Sequence, residues 1–378
     1  MKKQGNPMKS AAVTEKAIAG VNAVSPVFAE RRVGFPGCKN FVLYYTNSPW
    51  NAAGDAFYFF SVSNDDCQPA LCMHWVATGE TEKCYDLEPF SQSPVSALFS
   101  SVLLPRRELM ILYGVTALAV TDLATHAQEL KIVLAGDCVL HGPLCISPDE
   151  RYLCYGVSAR NEPTDTDIRV HDTLDPAWPM VFHKTVSMNA NHFQFFPNGA
   201  DILFAHEGAT EQIPDRLQCL NWRSGQVRCL YRHLHDVAGR QIECIGHEHI
   251  AGDKVVAVRY PVSQMDFGLI LADPQTSVCE LIDRGDYWHC ASDRSGTRIV
   301  MDTMWWGNSR RQTPNVIDIV LFDAVAQKRH VLKTFQADPG GLGIFHPHPH
   351  FDDTGKMVLY VVRPEGTDEC WLELLQLN

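Results

Sequence analysis

The chain repeats one alternation of polar and apolar positions seven times: a short polar turn, then a run rich in Tyr, Phe, Val, Ile and Leu. The first copies are Ala53-Gly54-Asp55 before Ala56–Val62, Arg106-Arg107-Glu108 before Leu109–Val115, and Pro148-Asp149-Glu150 before Arg151–Val157. Next come Pro197-Asn198-Gly199 before Asp201–Ala205, Ala251-Gly252-Asp253 before Lys254–Tyr260, Ser295-Gly296 before Arg298–Asp302, and Asp353-Thr354-Gly355 before Lys356–Val362. The turns recur roughly every 43 to 59 residues, the period of propeller blades. Many units continue into a second hairpin, such as Leu217–Trp222, Ser224-Gly225 and Val227–Tyr231, which predicts four strands per unit. Helical periodicity is confined to residues 11–22 and 122–129. These patterns predict an all-β, seven-bladed β-propeller over residues 31–378. Residues 1–30 read as a flexible arm in which a closing strand could lie.

Composition narrows the function. A net charge of −12 argues against nucleic-acid binding, and an anionic ligand would need local cations or a metal to hold it. Thirteen cysteines, scattered singly and with no CxxC pair, read as reduced thiols of a cytoplasmic protein. Glu15, Lys16 and Asn22 make residues 11–29 too polar for a secretory signal, and no apolar stretch approaches membrane-spanning length. Oligomeric state leaves no mark on the sequence.

The chemistry concentrates in histidines. His348, His289 and His192 each precede a turn glycine (Gly355, Gly296, Gly199) by the same seven residues. Equal offsets in repeated units imply equivalent places in space, and imidazole is both a metal ligand and a base. His247 stands slightly closer to its glycine, Gly252. His346, His348 and His350 alternate in His-Pro-His-Pro-His, which on an extended chain places them on one side. In a propeller, these positions enter the innermost strands at one face, which Tyr260, His206, Asp302, Arg216 and Arg363 share.

Plainer readings stand beside each motif. The His-Pro repeat could be a polar loop, and Glu207 a buried partner for an arginine such as Arg216. Trp305-Trp306 reads as a loop plug before it reads as a sugar-stacking platform. Gly246-His247-Glu248-His249 superficially matches a zinc-protease H-E-x-x-H, but Ala251 occupies the second histidine position. A serine-nucleophile elbow and phosphate-cradling glycine loops are both absent.

Taken together, several segments resemble the oligogalacturonate lyases, a family of seven-bladed propeller enzymes. They are Asn191-His192-Phe193-Gln194-Phe195-Phe196-Pro197, Phe204-Ala205-His206-Glu207-Gly208, Asp215-Arg216, Gly246-His247-Glu248, His289 through Gly296, and His346 through Phe351 with Asp353-Thr354-Gly355-Lys356. The resemblance runs in order from about residue 40 to the C-terminus. It implies a divalent metal, Mn2+ by preference, on His289, His346 and His348, with His350 a further candidate ligand. It implies His247 as catalytic base with Arg216 beside it, and an acidic oligosaccharide as substrate; His192, His206 and Arg363 are candidate substrate contacts. The family's glutamine ligand is replaced here by Gly343. The implied reaction is β-elimination on a 4-linked uronide. The alternatives are a propeller that binds a sugar or protein without catalysis, and a lyase for a different uronate-containing glycoside.

Overall fold

A computed structural model of the chain describes residues 27–378 apart from positions 66, 91–93, 161, 210, 305–314 and 338–342. Seven four-stranded antiparallel sheets form the ring of a β-propeller. Blades one to six each take four successive strands, from Cys38–Phe41 in blade one to Lys328–Gln336 in blade six. Blade four is built from Ala190–Phe195, Asp201–His206, Leu217–Asn221 and Gln226–Tyr231. Blade five comprises Ile245–Ala251, Lys254–Arg259, Gly268–Ala272 and Cys279–Arg284. Blade six begins with Tyr287–Ser292 and Arg298–Thr303. Among the described residues no helix is long and apolar enough to cross a membrane.

Blade seven joins the two ends of the chain. His350–Phe351, Met357–Val362 and Trp371–Leu377 are completed by Val27–Val33, which pairs antiparallel with Trp371–Leu377. Val27–Val33 thus supplies the fourth strand at the outer edge of this blade. Residues 1–26, including the helical periodicity over 11–22, lie outside the described residues, as do Trp305 and Trp306. The periodicity over 122–129 is a turn instead. Asp122 Oδ1 accepts the Ala124 and Thr125 backbone N–H groups, and strand Gln128–Val133 follows.

The apolar runs of the sequence meet between blades. Leu203, Leu217 and Leu230 of blade four pack on Ile245, Val255, Ala257 and Ile270 of blade five, and similar clusters join other neighbouring blades. Such packing fixes the angle between blades, and with it the positions of the innermost strands around the axis. The glycines of the polar turns take positive φ, as at Gly296 (+74°), where a Cβ would lie 2.8 Å from the Ala251 backbone.

Candidate active site

The innermost strands are bulged where the histidines sit. Pairing register shifts between Asn191 and Gln194, between Gly246 and His249, and between Tyr287 and Cys290, around His192, His247 and His289. A bulge breaks side-chain alternation and re-aims one residue. His192 (φ 56°), His247 (φ 47°) and His348 (φ 42°) also take left-handed backbone, which costs a non-glycine residue about 1–3 kcal/mol. Their rings converge across four blades: His247 and His289 have centroids 4.3 Å apart, His289 and His348 4.3 Å, and His192 and His247 6.2 Å.

One nitrogen from each of His289, His346 and His348 lies within 4.8 Å of the other two. Metal–imidazole bonds of roughly 2.0–2.1 Å at tetrahedral angles would put ligand nitrogens about 3.4 Å apart, so side-chain rotations moving them by about an ångström would gather all three on one ion. Burial, then the neighbouring imidazoles, push the His289 and His348 pKa values well down, leaving both rings in the neutral form that ligates. Behind His289, the fully buried Asp302 takes the backbone N–H at 2.6 Å and the ring Nδ1 at 2.7 Å. Burial pushes the Asp302 carboxyl up to about 8. Among the described residues no lysine or arginine supplies it with a counter-charge. A cation on the far side of His289 would supply one, and the arrangement is that of a carboxylate orienting a metal-ligating histidine. The donor set therefore fits a divalent metal.

A cleft of about 490 Å3 opens beside this cluster, lined by His192, Glu207, Arg216, His247, Tyr260 and Trp288 among others. Arg216 is almost fully buried; its Nε donates to Glu248 Oε2 at 2.8 Å and its Nη2 approaches Glu207 Oε2 at 3.2 Å. Burial lowers the Arg216 pKa, but Glu248 and Glu207 outweigh it and hold the guanidinium charged. Burial likewise raises the Glu248 carboxyl, yet Arg216 and His192 hold it far below the usual carboxylate range. Burial and then His289, His192 and Arg216 depress His247 well below 6.5, so it is neutral and free to accept a proton. Its Nδ1 lies 2.6 Å from Tyr260 Oη.

Not every expected residue reaches the cleft free. His192 lines it, but Tyr44 Oη holds its Nε2 at 3.0 Å and Glu248 Oε1 its Nδ1 at 2.8 Å, so it positions Glu248 and has no nitrogen left for substrate. His206 pairs its Nδ1 with Asp215 at 2.8 Å and is not among the residues lining the cleft. Arg363 donates to Thr367 O and Asp368, stacks on Phe345 4.6 Å from the ring centroid, and likewise is not among the residues lining the cleft. His350 also departs from expectation. The positive φ at His348 breaks the one-sided alternation, and His350 Nε2 donates instead to Leu43 O at 2.9 Å. A Cβ at Gly343 would meet the Phe99 ring at 3.3 Å, and Phe99 stacks toward His348 at 6.2 Å. Aromatic carbon thus covers the side where the resemblance places a glutamine. Glu207 does pair with Arg216, as its plainer reading has it.

Sequence reading singled out neither Asp302, Glu248 nor Tyr260 as a site residue, although all three sit at positions it had placed on this face or inside a motif. No motif in the sequence marks Tyr44 or Tyr45. They form the floor of the site, Tyr45 lying 5.6 Å from His289 and 5.9 Å from His348. Their only sequence signal is a pair of adjacent aromatics in a segment with no strand partner.

The ring of seven blades and the histidine-lined axial cleft define the class: a β-propeller with a candidate metal centre at one mouth. Solved structures similar to the chain include an oligogalacturonate lyase in complex with manganese, at a TM-score of 0.76 and 17% identity over 98% of this chain and 99% of that one. A second oligogalacturonate lyase, from Vibrio parahaemolyticus, matches at a TM-score of 0.76 and 15% identity over 97% and 98%. A prolyl endopeptidase is more distant, with a TM-score of 0.55, 12% identity and 51% of its own length covered. No family model and no curated protein sequence matches the chain.

Proposed function

We propose that the protein is a metal-dependent lyase that cleaves a 4-linked uronide by β-elimination, acting on an acidic oligosaccharide in the cytoplasm. The observation that carries this reading is a metal-competent histidine trio, backed by Asp302, beside a cleft lined by a neutral His247, 4.3 Å from His289 between ring centroids, and a buried Arg216. The manganese complex of a structure with the same fold supports the choice of a divalent ion, Mn2+ first.

β-Elimination removes the proton at C5, forms the C4–C5 double bond and expels the oxygen at C4. Its difficulty is the negative charge that builds on the C6 carboxylate. His289, His346 and His348 would hold the cation, which as a Lewis acid offsets that charge. His247 takes the C5 proton; its neutral ring beside the trio is in the basic form. Arg216 is the second counter-charge. In the free protein Glu207, partly exposed, occupies the guanidinium edge facing the cleft, so the sugar carboxylate takes the place of the Glu207 carboxylate.

One observation favours a non-catalytic sugar-binding propeller: Arg216 is already shared between two carboxylates. The deciding experiment incubates the protein with digalacturonate and a panel of other 4-linked uronides, with Mn2+ or with chelator, and follows ultraviolet absorbance of the 4,5-unsaturated product. Metal-dependent product from any of them sustains the lyase; none from all of them leaves the binding propeller. His247→Ala is expected to abolish turnover with bound metal unchanged, and loss of metal in that variant would make His247 a ligand.

A further inference from the structure

Tyr260 lines the cleft beside His247. Its Oη lies 2.6 Å from His247 Nδ1, the only hydrogen bond of that hydroxyl among the described residues. The ring is 5% exposed and lines the cleft with His247, Arg216 and Trp288. Two features hold it there. The Trp288 ring packs against both partners, 4.9 Å from Tyr260 and 4.6 Å from His247. Gly246, immediately before His247, has no side chain, and a Cβ there would stand 2.2 Å from Tyr260 Oη. The chain thus leaves a space in the innermost strand that the phenol fills.

This arrangement supplies what the elimination still lacks. The departing C4 oxygen needs a proton; Arg216 keeps its own as the counter-charge, and while His247 Nε2 is still accepting the C5 proton it has none to give. Resting on the lyase reading, we propose that Tyr260 is the general acid of the reaction and that His247 and Tyr260 act as a relay. His247 Nε2 takes the C5 proton while its Nδ1–H is directed at Tyr260 Oη. The C5–H electron pair becomes the C4–C5 double bond, the C4–O bond breaks, and Tyr260 O–H protonates the leaving oxygen. The Nδ1 proton then passes to the tyrosinate, so both groups end neutral, with His247 in its other tautomer until it exchanges a proton with water. No further reactant is required.

The pairing also restricts the substrate. A base and an acid hydrogen-bonded to each other act from one side of the sugar ring, so the C5 hydrogen and the C4 oxygen must leave the same face. Uronides of gluco or manno configuration carry them so; galacto-configured uronides carry them on opposite faces.

The test compares wild type with Tyr260→Phe on two 4-substituted uronides of gluco configuration: a disaccharide, whose leaving sugar needs a proton, and a 4-fluoro analogue, whose leaving fluoride does not. Tyr260→Phe is expected to lose at least about 100-fold in kcat on the disaccharide and less than about tenfold on the fluoride. Equal losses on both would make Tyr260 only a positioning residue for His247, and no loss would remove it from the reaction; either overturns the proposal. Faster wild-type turnover of digalacturonate than of the gluco disaccharide overturns the same-face assignment while leaving the lyase intact. Absence of unsaturated product from every uronide refutes the lyase reading and the relay with it.

Discussion

Replacing Asp302 with Asn tests the metal centre without touching a ligand. The native carboxylate serves His289 twice, accepting its backbone N–H at 2.6 Å and facing its ring Nδ1 at 2.7 Å. An asparagine oxygen can keep the backbone contact, but its amide then turns N–H toward Nδ1. Two donors cannot face each other, so the ring moves its proton to Nε2, the nitrogen that would otherwise ligate. Either the ligand is lost or the tautomer is forced back at the expense of an unmade buried hydrogen bond. Outer-sphere partners of this kind are worth 10- to 100-fold in metal affinity, or about 1.4–2.8 kcal/mol. Titration of Mn2+ by calorimetry, with His289→Ala as the control that removes a ligand, is expected to show that loss for Asp302→Asn. Thermal unfolding in chelator should show the metal-free variant folded, since the substitution also removes a buried acid that no lysine or arginine among the described residues pairs with. Wild-type affinity in Asp302→Asn, alongside lost binding in His289→Ala, would refute the reasoning.

Further outcomes follow from other parts of the structure. Glu207→Gln frees the cleft-facing edge of Arg216 from an anion, so KM for an acidic sugar should fall severalfold with kcat little changed; a higher KM would mean that Glu207 helps to place substrate. Burial, with a smaller push from Arg31, lowers His74 in blade one to about 4. Its stabilising share is complete above the unfolded value near 6.5 and is lost as pH falls toward 4, because the unfolded chain then binds the extra proton. The urea midpoint should therefore drop between pH 6.5 and 4, and less steeply in His74→Gln; parallel slopes would exclude His74 as the source. Truncation to begin at Gly34 removes Val27–Val33 and bares the edge of Trp371–Leu377. It should broaden thermal unfolding and promote association in light scattering, whereas a chain shortened only to Val27 keeps the ring closed.

The repeat of turns and apolar runs was enough to count seven blades, because a strand buried between sheets must be apolar and the tight turn after it favours glycine. The equal offsets of His192, His289 and His348 likewise told which residues share one mouth of the ring, and their convergence is observed. What the sequence could not carry was side-chain direction within that mouth. Alternation put His346, His348 and His350 together, but a left-handed residue at His348 sends His350 to Leu43. Likewise nothing in the one-dimensional pattern separates Arg216, which lines the cleft, from Arg363, which stacks on Phe345. Asp302, Glu248, Tyr260 and Tyr44 acquire roles only through side-chain hydrogen-bond partners up to 148 positions away. Strand periodicity is local and survives in the sequence; bulges and the partners of buried charges are set by how blades pack, and only the assembled ring decides them.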